Sequence, residues 1–296
     1  MKNSFQENRQ AGTDSPSRLG VMSEMAIEGK EELPAAVLYN AQGSAPVVLA
    51  CEHASNRFPE KYHNLGLDEA ARNSHVAWDP GARCVAETVA DLLDARLVES
   101  TVSRLVYDCN RPPDAPGAMP SKSECYDIPG NLDLSETQRD MRTQEVYEPF
   151  RKLLAETLKT PPVPKAIVTI HSFTPVYMGT ARDVQIGVLH DSDSRLADAM
   201  LATASQHTGL SVERNDPYGP ADGVTHTLKE HGVKNGLINV MLEFRNDLIA
   251  TPQDQAKLAL MLSDWLIDAL EKVGVTLERN EMLPISALEA KCQNFS

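Results

Sequence analysis

Four apolar runs in this chain of 296 residues stop abruptly on an ionisable side chain, and that pattern limits what the chain can fold into. "PVVLACEHASN" carries the run 46–51 into Glu52 and His53, and "KAIVTIHSFTP" carries 166–170 into His171. "LINVMLEFRNDL" leads from 237–242 into Glu243 and Arg245, and the run 185–189 exits at His190. Short continuous apolar runs read as strands buried on both faces. Helical patterns alternate with them. "GARCVAETVADLLDARL" repeats apolar residues at 82, 85, 86, 89, 92 and 93, and similar patterns lie at about 135–158, 193–207 and 252–272. With a weaker strand run at 97–102, the alternation predicts an α/β fold: a mostly parallel mixed sheet sandwiched by helices.

Residues 1–34 are polar and read as a mobile tail, 35–275 as a single α/β domain, and 276–296 as a C-terminal extension. The Pro- and Gly-rich stretch 111–130 is too long for a simple connector and is a candidate substrate loop or lid. A net charge of −14 argues against nucleic acid or an anionic membrane as partner. It leaves open a small anionic substrate, because a few arginines can reverse the field inside a pocket, and it leaves room for a homo-oligomer. The five scattered cysteines form no CxxC pair, so neither a disulfide framework nor a cysteine zinc site is expected. Without a membrane-length apolar stretch or a signal-peptide core, the expected setting is the cytoplasm.

In open α/β sheets ligands bind beyond the carboxyl ends of the strands, so polar residues there carry the most weight. His53, His171, His190 and Glu243 qualify, as do Arg104 and Arg111, which bracket "SRLVYDCNR". A strand-end histidine can also simply bond a backbone carbonyl, and His190 fits that description best. His63, His207 and His231 read as structural, while His75 and His226 can line a pocket. A catalytic zinc takes three protein ligands and keeps one position open, so two histidines call for a third group. Asp79, Asn56 and Glu52 are the choices, and Asp79-Pro80 before a helical pattern also reads as a helix N-cap. Period-two alternation puts Met241, Glu243 and Arg245 on one strand face. That makes Glu243 a candidate general base with Arg245 orienting it, or else the two a plain ion pair. Arg104, Arg111, Arg182 and Arg245 all fall near strand ends or turns, where guanidinium groups can fork a carboxylate.

"LACEHASNRFP", "HVAWDPGA", "VSRLVYDCNRP", "IHSFTPVY", "NDPYG" and "LEFRNDL" together resemble the N-formylglutamate amidohydrolase family, in order and spacing, over about residues 45–272. The resemblance implies a zinc-exopeptidase-like hydrolase fold with Zn2+, or another divalent metal, held by His53, Asp79 and His171. It implies Glu243 as the catalytic glutamate, with Arg245 beside it. Arg104, Asn110, Arg111, Arg182 and Tyr218 are then the expected substrate contacts. The implied reaction is metal-assisted hydrolysis of N-formyl-L-glutamate to formate and glutamate. Another N-acyl amino acid or a peptide is the alternative substrate, and a non-catalytic metal- or carboxylate-binding protein of the same fold the rival. Many family members carry a His-Ser-Gly turn where this chain has His53-Ala54-Ser55-Asn56, which bears on the pocket's shape.

Overall fold

The computed structural model describes residues 33–280 and 284–293. Along them run the strands β1 (Ala36–Tyr39), β2 (Val47–Cys51), β3 (Arg96–Ser100), β4 (Lys122–Ser123), β5 (Tyr126–Asp127), β6 (Ala166–Phe173), β7 (Val176–Tyr177), β8 (Thr180–Ala181), β9 (Ile186–Leu189), β10 (Val212–Arg214) and β11 (Ile238–Arg245). The helices are α1 (Glu69–Asn73), α2 (Ala82–Leu93), α3 (Glu136–Arg142), α4 (Glu148–Thr157), α5 (Arg195–His207), α6 (Pro252–Lys272) and α7 (Ile285–Cys292). β4 with β5 and β7 with β8 make small hairpins, and the other seven strands form one sheet in the order β1-β3-β2-β6-β11-β9-β10. β1 on β3 and β9 on β11 are antiparallel, and every other pairing is parallel. The expected mostly parallel mixed sheet between helices is what forms.

β2 explains why its run has no polar gap. Val47, Leu49 and Cys51 enter a core with α2, α5 and α6, whereas Val48 and Ala50 enter a second core on the opposite face with Phe150 and Leu154 of α4. A strand covered on both faces has no position for a polar side chain until it leaves the sheet. β2, β6 and β11 lie side by side and parallel, so their carboxyl ends open on one edge. That shared direction brings His53, His171 and Glu243 together, with Glu243 directly opposite His171 in the register.

Several local expectations change. The helical pattern at 135–158 is two helices joined by a wider π-helical turn over Thr143–Tyr147, next to Pro149, which has no N–H to donate. The N-cap of α2 is Gly81, not Asp79, which frees the Asp79 side chain for other partners. Gly81 has φ +82°, and a Cβ there would sit 2.6 Å from the Ile249 carbonyl oxygen. The expected tail lies outside the described residues except for Leu33 and Pro34. Downstream of 275, α7 packs on α6 and α2, burying Leu288. Cys84 of α2 and Cys292 of α7 are joined by a disulfide with Cα atoms 5.5 Å apart, while Cys51, Cys109 and Cys125 are free. Partners 208 residues apart leave no local spacing signal. No helix among the described residues is long and apolar enough to cross a membrane.

Two outcomes test this packing. Gly187 of β9 pairs with Glu243, and an added Cβ would come 2.3 Å from the Asp216 carbonyl oxygen and 3.3 Å from Glu243 Cβ. Gly187→Ala should therefore cost about 1–3 kcal/mol in a denaturant melt; an unchanged midpoint would mean the strand shifts freely. Glu99 of β3 is buried beside Glu87, with Arg83 Nε 3.6 Å away. Burial first, and Glu87 second, push its carboxyl up from 4.5 to about 8. Between those values the native state keeps a proton that the unfolded chain releases, so this group's contribution to stability falls as pH rises through that window. Glu99→Gln should flatten that slope in melts taken from pH 5 to 8, and an identical slope in both proteins would refute the assignment.

Candidate active site

β2 delivers Glu52 and His53 one after the other, pointing in different directions. The next segment returns to the strand end through a backbone bond from Asp79 N to His53 O (3.0 Å), and Ser172 Oγ donates to Pro80 O (2.9 Å). This docking places the Asp79 carboxylate between the two imidazoles. Asp79 Oδ2 lies 3.2 Å from His53 Nδ1 and 2.9 Å from His171 Nδ1, and the two Nδ1 atoms are 3.2 Å apart. All three residues are buried.

The far side of each ring also meets a carboxylate. His53 Nε2 donates to Asp108 Oδ1 at 2.8 Å, and His171 Nε2 lies 3.1 Å from Glu52 Oε2, within ion-pair reach but off the line of a hydrogen bond. Glu52 is therefore the partner of the second histidine rather than a third convergent group. Asn56 turns away to Arg72 O and Asn73 Oδ1. Of the three choices left open by the sequence, only Asp79 meets both rings.

These three atoms fit a metal ion. Tetrahedral zinc with bonds of about 2.0–2.1 Å spaces its ligand atoms roughly 3.3 Å apart, close to the edges of this triangle. The charge balance agrees. Burial works against ionisation of Asp79, Asp108 and Glu52, but His53 and His171 outweigh it, aided at Asp108 by Arg104, and all three carboxyls are held below their ordinary range. Burial likewise opposes protonation of the imidazoles, yet the surrounding carboxylates push both upward, His171 most. With both imidazoles neutral, as metal ligands must be, the carboxylates of Glu52, Asp79 and Asp108 against the Arg104 guanidinium leave two positive charges wanting, which a divalent cation can supply. The buried His53–Asp79–His171 group can thus hold a metal.

A cavity of about 510 Å³ opens above this centre. Glu243 sits in its floor, and burial, with Asp79 adding to it, pushes that carboxyl up to about 7 against the pull of His171. Arg104, Asn110, Arg111, Arg182 and Tyr218 all line the cavity. Their partners differ. Arg104 is engaged by Asp79 (3.3 Å) and Asp108 (2.9 Å). The Arg111 guanidinium donates to the Asn110 and Gly223 carbonyls. Arg182 donates to Thr174 O and stacks against Phe173, Tyr177 and Tyr218 at 5.5, 4.6 and 4.9 Å. Neither has a carboxylate partner among the described residues. Asn110 binds Val224 O and Thr227 N, tying two loops together under the wall.

Arg245 is absent from the cavity. Its guanidinium forks Asp247 (2.8 and 3.1 Å) and donates to Arg182 O, because the strand ends there and the side chain leaves the sheet. It neither pairs with nor orients Glu243. His190 bonds Asp191 O and Arg214, and His226 bonds Tyr147, both away from the cavity, whereas His75 lines it. The 111–130 stretch forms a wall, with Glu124 accepting from Met178 N (3.0 Å) and pairing with His75 (2.8 Å). Sequence reasoning passed over Asp108 and Glu124. Asp108 sits inside "SRLVYDCNR" between two weighed arginines, but it follows no apolar run and so lacked the strand-end signal.

A sequence profile of the N-formylglutamate amidohydrolase family matches residues 45–250. The crystal structure of gene product Atu2144 from Agrobacterium tumefaciens is 52% identical, aligned over 82% of this chain and 98% of that one with a TM-score of 0.80. N-formylglutamate amidohydrolase from Ralstonia eutropha JMP134 is 16% identical over 79% of this chain and 98% of that one, with a TM-score of 0.49. No curated protein matches the sequence. With well over half of its length matched by the profile, the chain belongs to the N-formylglutamate amidohydrolase family and is a hydrolase of amide bonds in N-acyl amino acids.

Proposed function

We propose that this chain hydrolyses N-formyl-L-glutamate to formate and glutamate, using zinc or another divalent metal held by His53, Asp79 and His171. The observation that carries this reading is the convergence of the three ligand atoms beneath a cavity that also holds Glu243 and two guanidinium groups without carboxylate partners. What a divalent ion supplies in such a site is Lewis acidity and a water whose pKa falls from about 15.7 to roughly 7.

Every other step falls to side chains. Glu243, with its carboxyl pushed up to about 7, is suited to take a proton from the attacking water and return it to the leaving nitrogen. The C–N bond breaks, the formyl carbon leaves as formate, and the amine of glutamate gains the proton. Arg111 and Arg182 hold the two substrate carboxylates. Tyr177 and Tyr218 pack 4.6 and 4.9 Å from the Arg182 guanidinium, and a guanidinium can grip a carboxylate as a planar fork. A second reading, a longer N-acyl amino acid or a peptide, draws support from the size of the cavity and the exposed Val176, Tyr177 and Met178 at its rim.

Formate release from N-formylglutamate is the direct test, run beside a panel of longer N-acyl amino acids. Activity should vanish with a chelator and return with zinc. Glu243→Gln should slow turnover about 10²–10⁴-fold with zinc still bound. Near-normal turnover in that variant would remove Glu243 from the chemistry. Chelator-resistant activity would remove the metal, and absence of hydrolysis across the panel from a zinc-loaded chain would favour a binding protein. Arg182→Lys should raise KM for a dicarboxylate substrate, because a lysine cannot reproduce the fork.

A further inference from the structure

Arg104 stands at the cavity wall, where a guanidinium would ordinarily be assigned to substrate. Its two terminal nitrogens are already committed, Nη1 to Asp79 Oδ1 and Nη2 to Asp108 Oδ2. The remaining oxygen of each of those carboxylates reaches His53: Asp79 Oδ2 faces Nδ1 at 3.2 Å and Asp108 Oδ1 faces Nε2 at 2.8 Å. The four side chains thus lie in a ring. Each carboxylate accepts from the guanidinium with one oxygen; the other oxygen accepts from the imidazole at Asp108 and, at Asp79, sits beside the imidazole Nδ1 as a second ligand atom. We propose that Arg104 is a positioning residue of the metal centre. It fixes Asp79 directly and fixes His53 through Asp108, leaving recognition of substrate carboxylates to Arg111 and Arg182. The proposal rests on the metal-dependent reading above.

The ring constrains what a lone hydrogen bond would not. An ionised carboxylate only accepts, so Asp108 places the proton of a neutral His53 ring on Nε2 and leaves the Nδ1 lone pair directed at the centre. Rotation of the imidazole breaks its bond to Asp108 and turns Nδ1 away from the centre. Arg104 removes the freedom of Asp108 and Asp79 to follow such a rotation, because a planar fork holds two carboxylates at a fixed separation. The backbone anchors the ring at several points. Arg104 N donates to Ala77 O, two residues before Asp79, while Asp108 N donates to Ala118 O and Asp108 Oδ1 also accepts from Asn110 N. Asp79 Oδ2 has a further donor in Ser172 N. His171 lies outside the ring, and its Nε2 faces Glu52 in poorer geometry, so the ring makes His53 the more firmly held of the two imidazoles.

The test uses the full chain stripped of metal and zinc alone as probe, with affinity read by competition against a chromophoric chelator. Arg104→Gln and Asp108→Asn should each weaken zinc binding about 10–100-fold. Because both act through one ring, the double variant should lose clearly less than the product of the two single losses. Arg104→Lys, the variant most certain to fold, should fall between wild type and Arg104→Gln, since an ammonium meets the carboxylates without the fork. At saturating zinc, KM for N-formylglutamate should change less in Arg104→Lys than in Arg182→Lys, and Arg182→Lys should bind zinc as wild type does. Unchanged zinc affinity in both Arg104 variants with a raised KM would overturn the proposal and return Arg104 to substrate binding. Fully multiplicative losses would overturn the ring. Failure of the wild-type chain to bind zinc would refute the metal-dependent reading and the proposal with it, an outcome visible before any variant is made.

Discussion

A carboxylate taken out of water needs charge or hydrogen bonds to replace its hydration, and this chain buries Glu52, Asp79, Asp108 and Glu243 in one strand-end cluster. Much of the site's construction follows from that requirement. Among the described residues Arg104 is the one permanent cation in contact with Asp79 and Asp108, and the two imidazoles sit where further positive charge is demanded. Backbone bonds from the 77–80 segment to β2 and to Ser172 dock the loop so that its carboxylate meets both rings. Without such compensation the ionised groups would be driven towards their neutral forms.

Glu243 escapes this compensation, and the contrast separates two roles within one cluster. It stands opposite His171 in the register yet has no ion-pair partner among the described residues, and burial raises its carboxyl while that of Asp79 is held low. Environments that push like groups apart suit one to hold charge and the other to move a proton, which are the roles proposed above for Asp79 and Glu243. Gly187 belongs to the same arrangement. With hydrogen in place of a side chain, β9 can lie against both Asp216 and the base of Glu243.

Much of the sheet and the two histidines were legible because they rest on short-range rules. A continuous apolar run that ends on an imidazole already says buried strand with the imidazole at its carboxyl end, and β2, β6, β9 and β11 follow those runs closely. Asp79 was ambiguous for a physical reason. Asp-Pro before a helix satisfies capping chemistry locally, and only the fold reveals that the cap has moved to Gly81. Asp108 was illegible because its significance lies in a partner 55 residues away. The Cys84–Cys292 pair was hidden in the same way, across 208 residues. The short edge strands β1 and β10 carry too few buried positions to make a run.

The arginines make the point most sharply. Position in the sequence placed Arg104, Arg111, Arg182 and Arg245 in one class, all near turns or strand ends. Partners divide them into three. Arg245 is neutralised by Asp247 outside the cavity and serves the 182 loop through its carbonyl. Arg104 is neutralised inside the cavity by the carboxylates that surround His53. Arg111 and Arg182 are held by carbonyls and rings, which fix a guanidinium in place without discharging it. An anionic substrate gains most from the last kind, since a charge already paired has little left to offer a ligand and would have to break its own ion pairs to bind one. Among the described residues neither Arg111 nor Arg182 has a carboxylate within ion-pair distance, and this difference from Arg104 and Arg245 is what underlies the substrate contacts proposed for them.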